Sequence, residues 1–202
     1  MSHTGKIYVI SAPSGTGKST LVNALCSVDQ KVQLSISHTT RAIRPGEIDG
    51  VNYFFVATEK FEEMIKNKEF IEHAKVYDNY YGTNINTIHK FLASGKDIIL
   101  EIDWQGALQI KNIFPESVLI FILPPSLDAL AERLYKRNTD SRAVIQKRLS
   151  MAVEEIGHAP EFDYMIINDS FEEALLDLRS IMRAPRNTTQ NMLEIVKQKF
   201  HF

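Results

Sequence analysis

Residues 12–20, APSGTGKST, join two glycines to a lysine and a hydroxyl. That combination suits one task, cradling a chain of phosphates. Backbone N–H groups from Ser14 to Thr20 can point inward at phosphate oxygens, and a helix starting at Lys18 adds positive potential there. Gly15 and Gly17 allow backbone conformations and a close approach that a Cβ would obstruct. The spacing predicts that Lys18 reaches the outer phosphates and that the Ser19 hydroxyl meets Mg²⁺. The usual pattern G-x-x-x-x-G-K-[ST] opens with glycine, where this chain has Ala12. Ala12 falls at a strand exit, where smallness is the only requirement, so the loop Ala12, Pro13, Ser14, Gly15, Thr16, Gly17, Lys18, Ser19, Thr20 reads as functional.

A second cluster has a different chemistry. In SISHTTRAIRPGEIDGVNYFF, Arg41 and Arg44 stand beside Ser37, Thr39 and Thr40. Two forked guanidiniums suit bidentate grip on a phosphate dianion, and the phenols of Tyr53 and Tyr81 can donate to the same anion. Glu72 interrupts an apolar strand, FIEHA. Further along, KDIILEIDWQG ends on Glu101 and Asp103, alternate residues that share a face. An acid at such a strand end commonly holds Mg²⁺ beside a phosphate loop. Arg133 and Arg137, four apart on one predicted helix, project from the same side, and Arg148 lies on the next.

The elements that must position these groups follow from hydrophobic patterning. KIYVISA, KDIILEID, SVLIFIL and YMIIND are near-continuous apolar runs, as expected of strands covered on both faces. Helical segments are predicted from Lys18 to Cys26, Thr87 to Ala93, Gln105 to Phe114 and Ser126 to Arg137. The alternation predicts an α/β fold with an open parallel sheet between two helical layers. Residues 34–83 read instead as a small, mostly β insertion, with a hairpin turn at Asp49-Gly50. Residues 126–158 are charged and helical, a solvated hairpin or a lid. A last amphipathic helix is capped by Asn187 or Thr188.

Composition narrows the function classes. The chain has 202 residues, 44% of them hydrophobic, and a net charge of -2. It can bury a core as one domain, and it carries no basic footprint for nucleic acid or an anionic membrane. No apolar run reaches bilayer-spanning length, and the N-terminus leads straight into a strand, so a cytoplasmic protein is expected. The single cysteine, Cys26, rules out an intrachain disulfide framework. The histidines show no zinc-site spacing.

The ordered motifs APSGTGKST, SISHTTRAIRPGEIDGVNYFF, FIEHA, NYYGT, LEIDWQG, RLYKRNTDS, KRLSMA and IINDS together resemble guanylate kinase, from about Lys6 to Arg183. The resemblance implies a P-loop core (1–34, 84–125 and 159–185), a GMP-binding insert (35–83) and a lid (126–158), followed by a C-terminal helix (186–202). It implies phosphoryl transfer from ATP with Mg²⁺ to GMP, and dGMP is expected as an acceptor too, in a monomer or homo-oligomer. Arg41, Arg44, Tyr53 and Tyr81 would hold the GMP phosphate, while Ser37, Glu72 and Thr83 would read guanine beside Gly82. Asp103 would serve guanine, Mg²⁺ or the brace of Arg41. Arg133, Arg137 and Arg148 would attend the ATP phosphates, and Asn168 would lie near adenine.

Guanine's chemistry fits this set without the resemblance. Its N1–H and 2-amino groups form a donor edge that a Glu72 carboxylate accepts, whereas adenine would present a lone pair. Three rivals predict other features. A phosphopeptide-binding relative commonly lacks the intact phosphate loop, and a kinase for a phosphorylated sugar would lack Ser37, Glu72 and Thr83. A plain GTPase needs no second anion-gripping site.

Overall fold

The computed structural model describes residues 5–76, 78–136 and 142–201. Its centre is a parallel sheet of β2 (Val32–Leu34), β7 (Asp97–Glu101), β1 (Ile7–Ser11), β8 (Val118–Leu123) and β9 (Tyr164–Ile167), in that spatial order. Every pairing in it is parallel. Alternate residues of β1 feed two separate cores, as a period of two requires. Ile7 and Val9 join the cluster under α3 (Ile85–Ala93) and α4 (Trp104–Ile113). Tyr8 and Ile10 join the one under α1 (Lys18–Val28) and α7 (Phe171–Arg183). From β1 the chain passes to β2 and β7 on one side of it, and after β7 it crosses to β8 on the other. The crevice at the strands' carboxyl ends, where such sheets bind ligands, therefore opens directly above β1.

A second sheet runs β4 (Phe54–Phe55), β3 (His38–Thr39), β6 (Asn79–Asn84) and β5 (Phe70–Val76). Here the structure departs from the sequence expectation. Asp49-Gly50 does not turn a hairpin, because β3 and β4 pair in parallel and residues 40–53 form a crossover between them. The turn instead closes a small loop in which Gly50 N donates to the Tyr53 carbonyl and Phe55 N to the Asp49 side chain. Ile48 and Val51, the expected flanking strand residues, are exposed and have no apolar face to bury.

The insertion also contains a helix, α2 (Thr58–Lys66), whose Phe61 and Met64 are buried one turn apart. β2 is a further addition, only three residues long, and too short to show a pattern in sequence. Residues Leu127–Lys136 and Arg142–Gly157 form α5 and α6, which pack through Leu130, Leu134, Ile145 and Ala152. Thr188 caps the final helix, α8 (Thr189–Phe200), accepting from Asn191 N. No helix among the described residues is long and apolar enough to cross a membrane.

One ion-pair cluster ties the far end of the core together. Arg186 donates to Asp29, at the carboxyl end of α1, and to Asp97, the first residue of β7, both at 2.7 Å. Asp97 is 1% exposed and also accepts from Lys6 N. Removing the guanidinium would strand two desolvated carboxylates. Arg186→Met is therefore expected to cost about 3–5 kcal/mol in urea unfolding; a loss below about 1 kcal/mol, typical of an exposed pair, would contradict this reading.

Candidate active site

The loop between β1 and α1 is held open from below. Gly15 and Gly17 have φ of 96° and 97°, the left-handed region that L side chains rarely enter. A Cβ on Gly15 would also press into Leu134 and Leu130 of α5. Gly17 caps α1 without a side-chain acceptor, and the first turn carries no acid. The orphan N–H groups of that turn thus remain available to an anion. Lys18 Nζ lies 3.4 Å from the Ile102 carbonyl, and the Ser19 hydroxyl donates to Glu101.

Two adjoining cavities, of about 290 and 710 Å³, rise from this loop. The first is lined by the loop residues from Ala12 to Thr20 except Thr16, and by Ser37, Glu72 and Asp103. The second carries Arg41, Glu47 and Arg148. Ser14, Ser19, Arg44, Tyr53, Tyr81 and Glu101 border both, so the loop and the second sheet face one continuous space.

Glu72 is the most constrained group in it. It is 3% exposed on β5, opposite Thr83 of β6, and the Thr83 hydroxyl donates to its Oε1 at 2.6 Å. Its Oε2 rests over Gly106 of α4, where a Cβ would stand 2.7 Å away. Burial pushes the carboxyl up to about 7, against the Thr83 hydrogen bond and reinforced by the charge of Asp103. Asp103 itself caps α4, accepting from Gly106 N at 3.0 Å. Burial raises its carboxyl, with Gly106 N and Lys18 opposing.

The expected phosphate grip is half preassembled. Arg41 forks onto Glu47 at 2.7 and 3.0 Å and lies over the rings of Tyr53 and Phe55. Glu47 also accepts from Arg44 N at 2.8 Å, fixing the backbone that presents Arg44. Burial pushes the Tyr53 phenol up to about 12, so it stays a hydrogen-bond donor at neutral pH. Arg148 reaches across from α6 to the Ser14 hydroxyl at 3.3 Å.

Other expected site residues lie behind these surfaces. Arg133 and Asn168 both donate to the Thr16 carbonyl, at 3.2 and 2.7 Å, bracing the loop from outside the two cavities. Thr83 is buried behind Glu72, and Gly82 lets Phe61 and Phe70 close against β6. Arg137 lies outside the described residues.

Three further acids, Glu47, Glu101 and Glu155, line the two cavities. Glu47 was signalled only by its place three residues after Arg44. Glu101 was paired with Asp103 and passed over, yet it is the acid that meets Ser19. Glu155, on α6, lines the first cavity, and burial pushes its carboxyl up to about 7. Nothing local distinguishes it from its neighbour Glu154.

Known proteins similar to this chain identify its family. The profile of the family described as Guanylate kinase matches residues 4–185. The chain is 54% identical to the guanylate kinase of Hahella chejuensis over 182 residues, covering 90% of this chain and 88% of that one. It is 49% identical to that of Legionella pneumophila, covering 97% and 91%. The crystal structure of guanylate kinase from Anaplasma phagocytophilum superposes with a TM-score of 0.78 at 34% identity, covering 99% of this chain and 97% of that one. With a phosphate loop, a facing arginine–tyrosine grip and a buried carboxylate in one crevice, this chain belongs to the guanylate kinase family, the enzymes that phosphorylate GMP to GDP with ATP.

Proposed function

We propose that the two joined cavities hold both substrates at once, the ATP phosphates over Ala12–Thr20 and GMP between Glu72 and Arg44. The observation that carries this reading is the shared border, where Ser14 and Ser19 face Arg44, Tyr53 and Tyr81 across one space. A donor and an acceptor phosphate placed on those two walls would face each other across it. That proximity supplies much of the rate in a transfer that needs no protein nucleophile.

In this reading Glu72 accepts from guanine N1–H and the 2-amino group, with Thr83 holding its other lone pairs in place and Ser37 beside it. Arg44, Tyr53 and Tyr81 bind the GMP phosphate, and Arg41, locked onto Glu47, shapes that wall. The acceptor oxygen attacks the γ-phosphorus in line while Lys18 and Arg148 neutralise the charge that develops on the transferred oxygens. Arg133 and Asn168 keep the loop backbone in its phosphate-binding shape through Thr16. We place the reaction in the cytoplasm, consistent with a lone half-buried thiol at Cys26.

The donor set beside the loop is all oxygen, Ser19 and Glu101 in contact with Asp103 nearby, which suits a hard divalent cation such as Mg²⁺. Bound there with ATP, Mg²⁺ would screen the phosphate charge. Asp103 already spends one oxygen on the α4 cap, so Glu101 and Ser19 are the better-placed holders.

Two measurements test these roles. Arg148→Ala is expected to lower kcat by about 10³-fold with little change in the KM for GMP; equal kcat would remove Arg148 from the transfer. Glu101→Gln should weaken Mn²⁺ binding to the ATP complex, read by EPR, by about tenfold, while Asp103→Asn changes it less. The reverse order would restore the metal role to Asp103.

A further inference from the structure

At the end of the sheet remote from the phosphate loop lies a third cavity, of about 640 Å³, which the reaction does not use. It opens between the carboxyl end of α1, the turn before β7, and helices α7 and α8. Five basic side chains line it, Lys31, Lys96, Arg179, Arg183 and Arg186, against Asp29 as the one acid among the described lining residues. This concentration stands out in a chain whose net charge is -2.

Asp29 and Asp97 are matched by Arg186. The carbonyls at the carboxyl end of α1 would account for one further cation near that terminus. Three remain, and two guanidiniums of the cavity carry a second signal. Nε of Arg179 and Nη2 of Arg186 are buried without a hydrogen-bond partner, a costly state for a charged donor. Arg179 and Arg183 are four residues apart, so their forks leave α7 on the same side. Val28, Met192 and Ile195 add an apolar wall to the same space.

We infer that this cavity is a second anion site, built for a phosphate chain, either free or carried by a nucleotide. Paired guanidiniums with flanking lysines match phosphate oxygens in geometry and charge, and the volume is that of a nucleotide pocket. An occupant would touch the far ends of α1 and β7, the elements whose other ends carry Lys18 and Glu101.

The test uses the full chain with both substrate pockets filled by a compound that joins adenosine to guanosine through five phosphates. Inorganic tripolyphosphate is then titrated in by calorimetry. One equivalent should bind. Arg179→Gln with Arg183→Gln should weaken it by about tenfold or more while kcat for GMP and the melting temperature hold. Lys96→Gln serves if the double variant fails to fold, with a smaller loss in the same direction. Absence of binding, or binding unchanged by these substitutions, overturns the inference. GTP binding tighter than tripolyphosphate identifies a nucleotide as the ligand; equal affinity identifies the bare phosphate chain. Because the substrate pockets are already filled, failure here leaves the assignment of those pockets untouched.

Discussion

The Glu72 carboxyl has been taken out of water, with Thr83 as its donor. Thr83 donates to one oxygen, and the other lies over a glycine that exists to make room for it. A carboxylate so placed is short of donors, which is why burial lifts it to about 7. The sign of the resulting linkage is definite. A carboxyl raised above its unfolded value contributes stability at low pH, and that contribution is lost as pH rises through about 7. In the proposed reading, guanine, with two adjacent N–H donors, would supply the donors that burial withholds.

That carboxylate also marks a seam. β5 carries Glu72, and α4 carries Gly106 and the cap at Asp103, so the second sheet and the parallel core meet at this carboxyl. The side chain of Gln109 on α4 reinforces the contact through both backbone groups of His73. On the other side of the crevice the phosphate loop is fixed independently, by glycine conformations, by Leu130 and Leu134 beneath it and by Arg133 and Asn168 behind it. Each wall of the crevice is therefore already formed, and the two share the rim of Ser14, Arg44 and Tyr81.

How much of this was legible in the sequence depended on burial. β1, β7, β8 and β9 are continuous apolar runs, so their existence and the loop after β1 could be read directly. The insertion was harder. Asp49-Gly50 has the residues of a hairpin turn, but pairing is decided by what the flanking residues can bury, and Ile48 and Val51 bury nothing. Phe61 and Met64 did carry a helical spacing, masked by the strands around them. Among site residues, arginines and tyrosines clustered in one segment were visible, whereas Glu47, Glu101 and Glu155 acquire meaning only from what the fold places beside them. Glu101 and Asp103 share an alternating pattern, yet the strand ends at Glu101 and the next helix captures Asp103 as its cap, a division that local patterning does not contain.

The most direct test is titration of the Glu72 carboxyl by ¹³C NMR, assigned with Glu72→Gln, with and without GMP. The account predicts a midpoint of about 7 in the free enzyme. GMP should lower it to below about 5, as donors aimed at the ionised form replace the missing water. A midpoint near the ordinary glutamate value in both states, or one that GMP does not move, would contradict the claim that a desolvated carboxylate at Glu72 reads the base.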